Sequence, residues 1–564
     1  MKKILFLVIL LATFSCKKDF LDVSPKAQLS EEQVKSGTEE LVNAAYASLG
    51  NDHYNTPYSL WPYGDVRSGD AYKGGRDEAD IQNFYFFEIF KLVRSDFGEI
   101  DGQWFMYYVA ISRANAALAN LNNVTEADYP AKKTRQAEMR FLRGHFYFQL
   151  KIMFKYIPFI DELVNTNEYV NISNRALTND QLWEKIAEDF QFAAENLPPS
   201  QTEIGRPSKA AATAYLAKTK LYQAYEQDEK NNVTGINLSK LNEVVTLADQ
   251  VIGSSNALEP DFANNFIPGA DENGRESVFA IQYSKDDGTM FGRLNFGDVL
   301  GTPQGIGCCD FHKPSQNLAN AFKTGSNGLP MFNDFNDSDV DPSVNTVDPR
   351  LNHTIAMPGH PYKYDPNVIY QKNWNRTPDV YGVFASQKEN VQKGSPYMVQ
   401  VGPFYANSKN RIIIRMADVI LWKAEALIEL GRQDEALPLI NEIRTRAKNS
   451  TALLKMANGN YESNFKIDTY QPGVNCTWTK EFARQALRWE RRLEFAMEGS
   501  RFFDLVRWGI ADTYLNAYFQ TEKTKRDYLK DGLFTKNRDE YAPIPLNQIR
   551  FSHDLYKQNY GYVE

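Results

Sequence analysis

The sequence has few of the residues that build metal centres and disulfide frameworks. Only four cysteines and six histidines occur among 564 residues. No two cysteines have C-x-x-C spacing and no histidines form H-E-x-x-H, which argues against a zinc framework or a metallohydrolase of that type. The motifs G-x-S-x-G and G-x-x-x-x-G-K-[ST] are missing as well. We therefore predict no catalytic residue, no metal and no cofactor.

The sequence also has no excess of positive charge and few long apolar runs. The formal net charge is −8 at pH 7, which argues against a general nucleic-acid binder. After residue 14 no stretch is apolar for the roughly 20 residues that a transmembrane helix needs. The body of the protein is therefore not expected to cross a membrane.

The amino terminus has the pattern of a bacterial lipoprotein leader. Lys2 and Lys3 precede an apolar run over residues 4–14, which is too short to span a bilayer. Cys16 follows in the context T-F-S-C, where such leaders are cut and acylated. We predict that residues 1–15 are a signal peptide and that a lipid on Cys16 anchors residues 16–564 to a membrane.

Aromatic residues, in contrast, are abundant, with 35 Phe, 31 Tyr and 8 Trp. Large aromatic side chains usually belong to a core. Their flat faces also suit stacking against sugar rings. Composition alone leaves both interpretations open for any one of them.

Residues 479–509, here called the brace segment, predict a long helix, a glycine break at Gly499 and a second helix. Its apolar residues recur at spacings of three and four, which predicts one buried face. Like charges stand four apart within the first helix, so we expect most of its ion-pair partners on other segments. We interpret these charges as structural ion pairs and not as a catalytic set. The apolar face consists of Phe482, Ala486, Trp489, Leu493 and Ala496, and the charges are Arg488, Glu490, Arg491, Arg492, Glu494, Glu498, Arg501 and Asp504.

Elsewhere helical periodicity alternates with two irregular regions. Helices are predicted over residues 30–49, 104–121, 132–156, 181–197, 208–225, 239–252, 411–430 and 434–447. The last pair, which turns at Gly431, has the pattern of a tetratricopeptide repeat. Residues 277–283 predict a strand, and the region after it is rich in Gly, Pro, Asn and aromatics. We predict a mostly α protein with an irregular scaffold of helical hairpins (residues 30–283 and 411–564) and a loop-rich half (residues 51–80 and 284–410).

Several motifs together resemble those of SusD/RagB proteins, surface lipoproteins of Bacteroidetes-type bacteria. They are F-L-R-G-H-F-Y-F-Q-L at 141–150, R-M-A-D-V-I-L-W-K-A-E-A-L at 415–427, W-E-R-R-L-E-F-A-M-E-G-S-R-F-F-D-L-V-R-W-G at 489–509, and the ending P-I-P…Q-N-Y-G-Y. The resemblance covers nearly the whole chain after the leader. It implies a SusD-like fold and a non-enzymatic protein on the outer membrane, which captures an oligosaccharide and acts as a lid on a SusC-like TonB-dependent transporter.

The resemblance also suggests where a glycan would bind. Residues 70–75, D-A-Y-K-G-G, are similar to the D-D-A-x-K-G-G loop of the family. Sugar capture needs aromatic faces together with amides, carboxylates or arginines. The ligand-binding residues predicted on this basis are Trp61, Tyr63, Asp65, Arg67, Asp70 and Tyr72 in the first loop, and Phe296, Phe311, Trp374 and Tyr381 in the second.

Two other functions stay open at this stage. One is a transporter-lid subunit that handles a peptide or another non-glycan nutrient. The other is a lipid-anchored glycoside hydrolase, which would need two suitably spaced carboxylates that a sequence cannot reveal.

Two smaller motifs favour ordinary structural interpretations. Asp337, Asp339 and Asp341 are spaced as in a calcium loop, but Pro342 and Asp348 occupy the places of the required Gly and Glu. We expect a solvated acidic loop there. The adjacent Cys308 and Cys309 are expected to be reduced thiols and not a vicinal disulfide.

Overall fold

The computed structural model describes residues 37–288 and 293–563. The predicted signal peptide, the lipidation site at Cys16 and the start of the first predicted helix lie outside this range. The fold is mostly α-helical with short two-stranded sheets, as predicted. Among the described residues, no helix is both long enough and apolar enough to cross a membrane.

The helices follow the periodic segments of the sequence closely. The helices are α1 Thr38–Ala47, α2 Gln82–Glu88, α3 Gly98–Asn123, α4 Lys132–Phe154, α5 Asn179–Asn196, α6 Lys209–Ala224, α7 Leu238–Ile252, α8 Gln316–Ala321, α9 Arg350–Thr354, α10 Pro378–Tyr381, α11 Met416–Glu429, α12 Gln433–Asn449, α13 Lys480–Glu494, α14 Arg501–Arg507, α15 Ala511–Glu522 and α16 Leu546–Phe551. Helices α1, α3, α4, α5, α6 and α7 pack successively against one another. Helix α7 also packs on α11, which contacts α12 and α13.

The strands form antiparallel pairs that join distant parts of the chain. In particular, β1 pairs with β5, and β4 pairs with β12. The strands are β1 Ala71–Gly74, β2 Tyr225–Gln227, β3 Val233–Ile236, β4 Ser277–Ile281, β5 Phe311–Pro314, β6 Ile355–Ala356, β7 Pro361–Tyr362, β8 Asp365–Ile369, β9 Ala385–Ser386, β10 Met398–Val401, β11 Phe404–Asn407 and β12 Arg411–Arg415.

One predicted helix begins later than expected. Residues 411–415 were assigned to the helix that continues to residue 430, but they form strand β12 and the helix begins at Met416. The reason is the run of three isoleucines at 412–414, since β-branched side chains favour a strand when a partner is available. The predicted strand at 277–283 supplies that partner, and it ends at Ile281.

The brace segment is buried on its charged side as well as on its apolar side. Glu494 contacts Arg350 at 2.9 Å and also pairs with Arg415 and Arg446, all on other segments. Glu490 pairs with Arg350 at 2.6 Å. The prediction that most of these charges find their partners on other segments is confirmed, whereas Arg491 pairs with Asp504 inside the brace segment at 2.8 Å. The network fastens the helical scaffold to the loop-rich half, because Arg350 belongs to that half.

Candidate functional site

The first-loop residues that were predicted to bind ligand lie in the interior. Trp61 is 1% exposed, and its indole N–H donates to the Gly297 carbonyl at 3.2 Å. Strand β1 carries the end of this loop into the body by pairing with β5, some 240 residues later in the chain. Side chains buried in this way present no face to a glycan, which corrects the prediction. The six buried residues are Trp61, Tyr63, Asp65, Arg67, Asp70 and Tyr72.

Asp65 and His312 form a buried ion pair between the first loop and strand β5. The imidazole Nε2 lies 2.9 Å from Asp65, and Nδ1 lies 3.3 Å from Glu389. Burial alone would lower the pKa of His312, but Glu389 and Asp65 together raise it to about 10. His312 is therefore protonated at neutral pH. Asp65 also accepts the backbone N–H of Gly499 at 2.9 Å, so this cluster joins the loop to the brace segment.

The remaining polar residues of the first loop have similar structural roles. Asp70 pairs with Arg492 of the brace segment at 2.7 Å. The Tyr72 hydroxyl donates to Glu522 at 2.8 Å. The Arg67 guanidinium lies 4.0 Å from the centroid of the Phe502 ring. Each contact holds the loop against the carboxyl-terminal helices.

The four predicted residues of the second region divide into two groups. Phe311 and Tyr381 are buried, and Tyr381 packs on Tyr528 with ring centroids 4.9 Å apart. This burial corrects their assignment to the ligand surface. Phe296 and Trp374 keep part of their surface exposed. Of these two, only Trp374 lies among further exposed groups that could recognise a sugar.

Trp374 ends the short helical turn Lys372–Trp374 and is held by its neighbours. The rings of Tyr370 and Tyr362 pack nearly perpendicular to it, with centroid distances of 5.3 and 5.9 Å. Gly305 lies against the ring so closely that a Cβ built there would come within 2.1 Å of the indole Cδ2. Any larger residue at this position would displace the ring. The glycine thus allows the backbone to support the indole directly.

Tyr405, which is not among the predicted residues, packs against Gly307 of the same loop, residues 305–307, here called the glycine loop. A Cβ on Gly307 would fall 2.5 Å from its Cδ2 atom. Tyr405 belongs to β11, opposite Gln400 of β10 in the hairpin register, and is partly exposed. The signal for it in the sequence is Gly402-Pro403 between two short runs with alternating side chains, which is typical of a hairpin. We define the aromatic surface as Trp374, Tyr405, and the partly exposed Ile306 and Cys308 between them.

The two cysteines beside this surface are joined. The sulfur atoms of Cys308 and Cys309 form a vicinal disulfide, whereas the sequence analysis expected reduced thiols. Spacing in the sequence could not decide this point, because adjacent cysteines pair only if the local backbone brings their sulfur atoms together. The disulfide ends the glycine loop that supports both rings.

The aromatic surface provides ring faces for stacking, and none of its four residues is a carboxylate. Asp310, the acid nearest in sequence, is buried against Lys313 at 2.7 Å. Two rings fixed on one loop, with exposed Gln304 beside them, suit contact with the apolar faces and hydroxyls of sugar rings. The arrangement is suited to recognition.

Two concave regions of the described chain are less suited to a glycan. A polar cavity of about 140 Å³ borders Trp61, Asp65 and His312, and small-molecule sites usually measure roughly 300–1,000 Å³. An apolar groove of about 670 Å³ is formed by α3 and α16 and includes exposed Phe105 and Phe551. Exposed apolar surface of this kind is more typical of a protein contact.

Comparison with known proteins gives a consistent result over the whole chain. A family model described as the SusD family matches residues 275–562, and a second, described as "Starch-binding associating with outer membrane", matches residues 19–221. SusD-like protein P2 of Formosa agariphila is 24% identical over 99% of each chain. A SusD superfamily protein from Bacteroides vulgatus has the same fold, with a TM-score of 0.68 at 22% identity over 94% of this chain and 99% of that one. Surface glycan-binding protein A from Bacteroides thetaiotaomicron, solved in complex with laminarihexaose, reaches 0.66 at 20% identity over 93% and 99%.

Proposed function

The chain belongs to the SusD family, and we propose that it binds an oligosaccharide noncovalently at the aromatic surface for uptake through the outer membrane. The observation that carries the proposal is the pair of partly exposed rings, Trp374 and Tyr405, supported by one glycine loop. Ring faces held in place before ligand arrives lose little conformational freedom on binding. A protein of the same fold was solved with laminarihexaose, which supports a glycan as ligand.

The lipoprotein leader predicts a lipid anchor on Cys16. Acyl chains on Cys16 would hold the folded body at the outer membrane without a transmembrane helix. The description of the second family model, which names association with the outer membrane, supports this location. Replacing Cys16 with alanine should release the protein from the membrane fraction, and retention there would contradict lipid anchoring.

Delivery requires a partner, and we propose a SusC-like TonB-dependent transporter. The groove beside Phe105 and Phe551 supports a protein contact, because two exposed phenylalanines flank it far from the aromatic surface in sequence. In this arrangement the aromatic surface captures the glycan while a separate surface docks on the barrel. Affinity capture from solubilised outer membranes should recover a TonB-dependent transporter, and its absence would contradict this part of the proposal.

Titration of the purified protein with an oligosaccharide panel tests the binding function. Trp374→Ala and Tyr405→Ala should each weaken binding by about tenfold or more, since loss of a well-packed aromatic contact removes at least about 1.4 kcal/mol. Tyr461→Ala is the matched control, because Tyr461 is 54% exposed in a different part of the chain. Its affinity should remain that of the wild type.

The same panel separates the other functions. Release of reducing ends would indicate a hydrolase. If the protein binds no glycan, the proposal fails and a lid that handles a peptide or another nutrient is favoured. Unchanged affinity in both ring variants would refute the aromatic surface as the site.

A further inference from the structure

The Trp374 ring is in contact with a positively charged side chain as well as with backbone. Gly305 supports the indole so that Cγ, Cδ1 and Cδ2 are all within 2.4 Å of a Cβ built on it, which means that the backbone covers a face of the ring and not its edge. The Nζ atom of Lys393 lies 5.1 Å from the centroid of the same ring. Lys393 is exposed, so a ligand can displace its flexible side chain from the ring, whereas the backbone at Gly305 stays in place.

Lys393 has no acidic partner in the part of the chain that the structure describes. No Asp or Glu oxygen there lies within 4.0 Å of its ammonium, in contrast to nearby Arg376, which pairs with Asp80 at 3.0 Å. Lys372, on the same turn as Trp374, is exposed and likewise lacks an ion-pair partner among these residues. One of these two lysines thus lies over the ring and the other is two residues before Trp374 in the chain, in a protein whose net charge is −8.

From this arrangement we propose that the aromatic surface selects a sugar with an anionic substituent, a carboxylate or a sulfate. The inference rests on the proposed function. A neutral ring that stacks on Trp374 must displace the Lys393 ammonium from the indole and offers no charge in return. An anionic sugar makes the same stacking contact and gives the displaced ammonium an oppositely charged partner with a direct hydrogen bond.

Titrations with three oligosaccharides of matched length test this selectivity. The probes are laminarihexaose, which is neutral, an oligogalacturonate, which carries carboxylates, and a sulfated galactan oligosaccharide. At least one anionic probe should bind about tenfold more tightly than the neutral one at low salt, and raising the salt concentration about tenfold should reduce this preference. The anionic probe that binds more tightly identifies the preferred group.

Variants separate the inference from the function on which it rests. Lys393→Gln should reduce affinity for the preferred anionic probe about tenfold and should not weaken binding of the neutral probe, which no longer has to displace an ammonium from the indole. The control is Lys455→Gln, since the Lys455 ammonium lies 4.3 Å from the Tyr461 ring in another part of the chain. This control should bind all probes as the wild type does.

Failure of the two proposals gives different results. If Trp374→Ala loses binding while Lys393→Gln binds the anionic probe normally, the binding function survives and the charge selectivity is refuted. Equal or tighter binding of the neutral probe by the wild-type protein would also refute the charge selectivity and leave the binding function standing. If no oligosaccharide of the panel binds, or if Trp374→Ala and Tyr405→Ala both bind as the wild type does, both proposals fail.

Discussion

Glu494 is the centre of a buried ionic network, and its replacement by glutamine should destabilise the protein strongly. The carboxylate is fully buried and interacts with Arg350, Arg415 and Arg446. Burial alone would raise its pKa, but the three arginines outweigh burial and hold the pKa of Glu494 far below its usual value. Glutamine keeps the shape and leaves three guanidinium groups short of one negative charge.

The expected loss can be estimated from other buried ion pairs. Removal of one partner from such a pair costs roughly 3–5 kcal/mol, because the remaining charge stays buried without compensation. For a chain of this length, whose unfolding entropy is about 1.2 kcal/mol/K, this corresponds to a fall of about 2.5–4 °C in the apparent melting temperature. Glu276 also contacts Arg415 at 2.9 Å and retains part of the compensation, so the lower end of the range is the safer expectation.

Differential scanning calorimetry of wild type and Glu494→Gln measures this effect. Glu435→Gln is the matched control, since Glu435 pairs with Arg432 at 2.7 Å on the surface, where solvent screening leaves an ion pair little effect on stability. Because the folded pKa of Glu494 is depressed, its stabilisation is present above pH 4.5, its ordinary value, and is lost as the pH falls below it. The difference between wild type and Glu494→Gln should therefore shrink in acid. Equal melting temperatures for Glu494→Gln and Glu435→Gln would refute the structural role of the network.

Two further predictions concern the junction between the first loop and the brace segment. His312→Asn should lower the free energy of unfolding by roughly 2–4 kcal/mol near neutral pH. Because the folded pKa is raised from 6.5 to about 10, this stabilisation is complete below pH 6.5 and disappears as the pH rises through 10, so chemical denaturation at both ends of this range should give different losses. Gly64→Ala should destabilise by at least about 1–3 kcal/mol, since its Cβ would lie 1.9 Å from the Gly499 carbonyl oxygen. Gly98→Ala, where a Cβ meets nothing within 4 Å, should be nearly neutral in the same assay.

The helices of the scaffold could be predicted because the apolar spacing that specifies each helix lies within its own segment of the sequence. Helix α4 begins at Lys132 as predicted and ends at Phe154, two residues early, since apolar spacing on two faces specifies a helix packed between neighbours. The brace segment was identified for the same reason. Its partners could be expected on other segments, but their identities depend on the tertiary fold.

The position of the ligand surface could not be predicted in the same way. Trp61 and Trp374 look alike in the sequence, since both lie in loops rich in Gly, Pro and Asp or Asn. The difference between them arises from long-range pairing, because β1 with β5 and Asp70 with Arg492 draw the first loop into the core. Tyr405 was missed because its exposure depends on its place in a hairpin packed against Gly307.

Burial of the first loop and exposure of the aromatic surface have a common physical cause. The protonated His312 lies between Asp65 and Glu389 and holds β5 in place. Gly307, at the end of the glycine loop that supports both rings, lies five residues before His312 in the chain. A ring supported by backbone at Gly305 cannot collapse into the core when no ligand is bound, so stacking surface stays available without a deep pocket. If glycan binds at the aromatic surface as proposed, the first-loop residues contribute by holding that support in place. On this account substitutions at Asp65 should reduce stability first, and glycan affinity only to the extent that the loop supporting Trp374 moves.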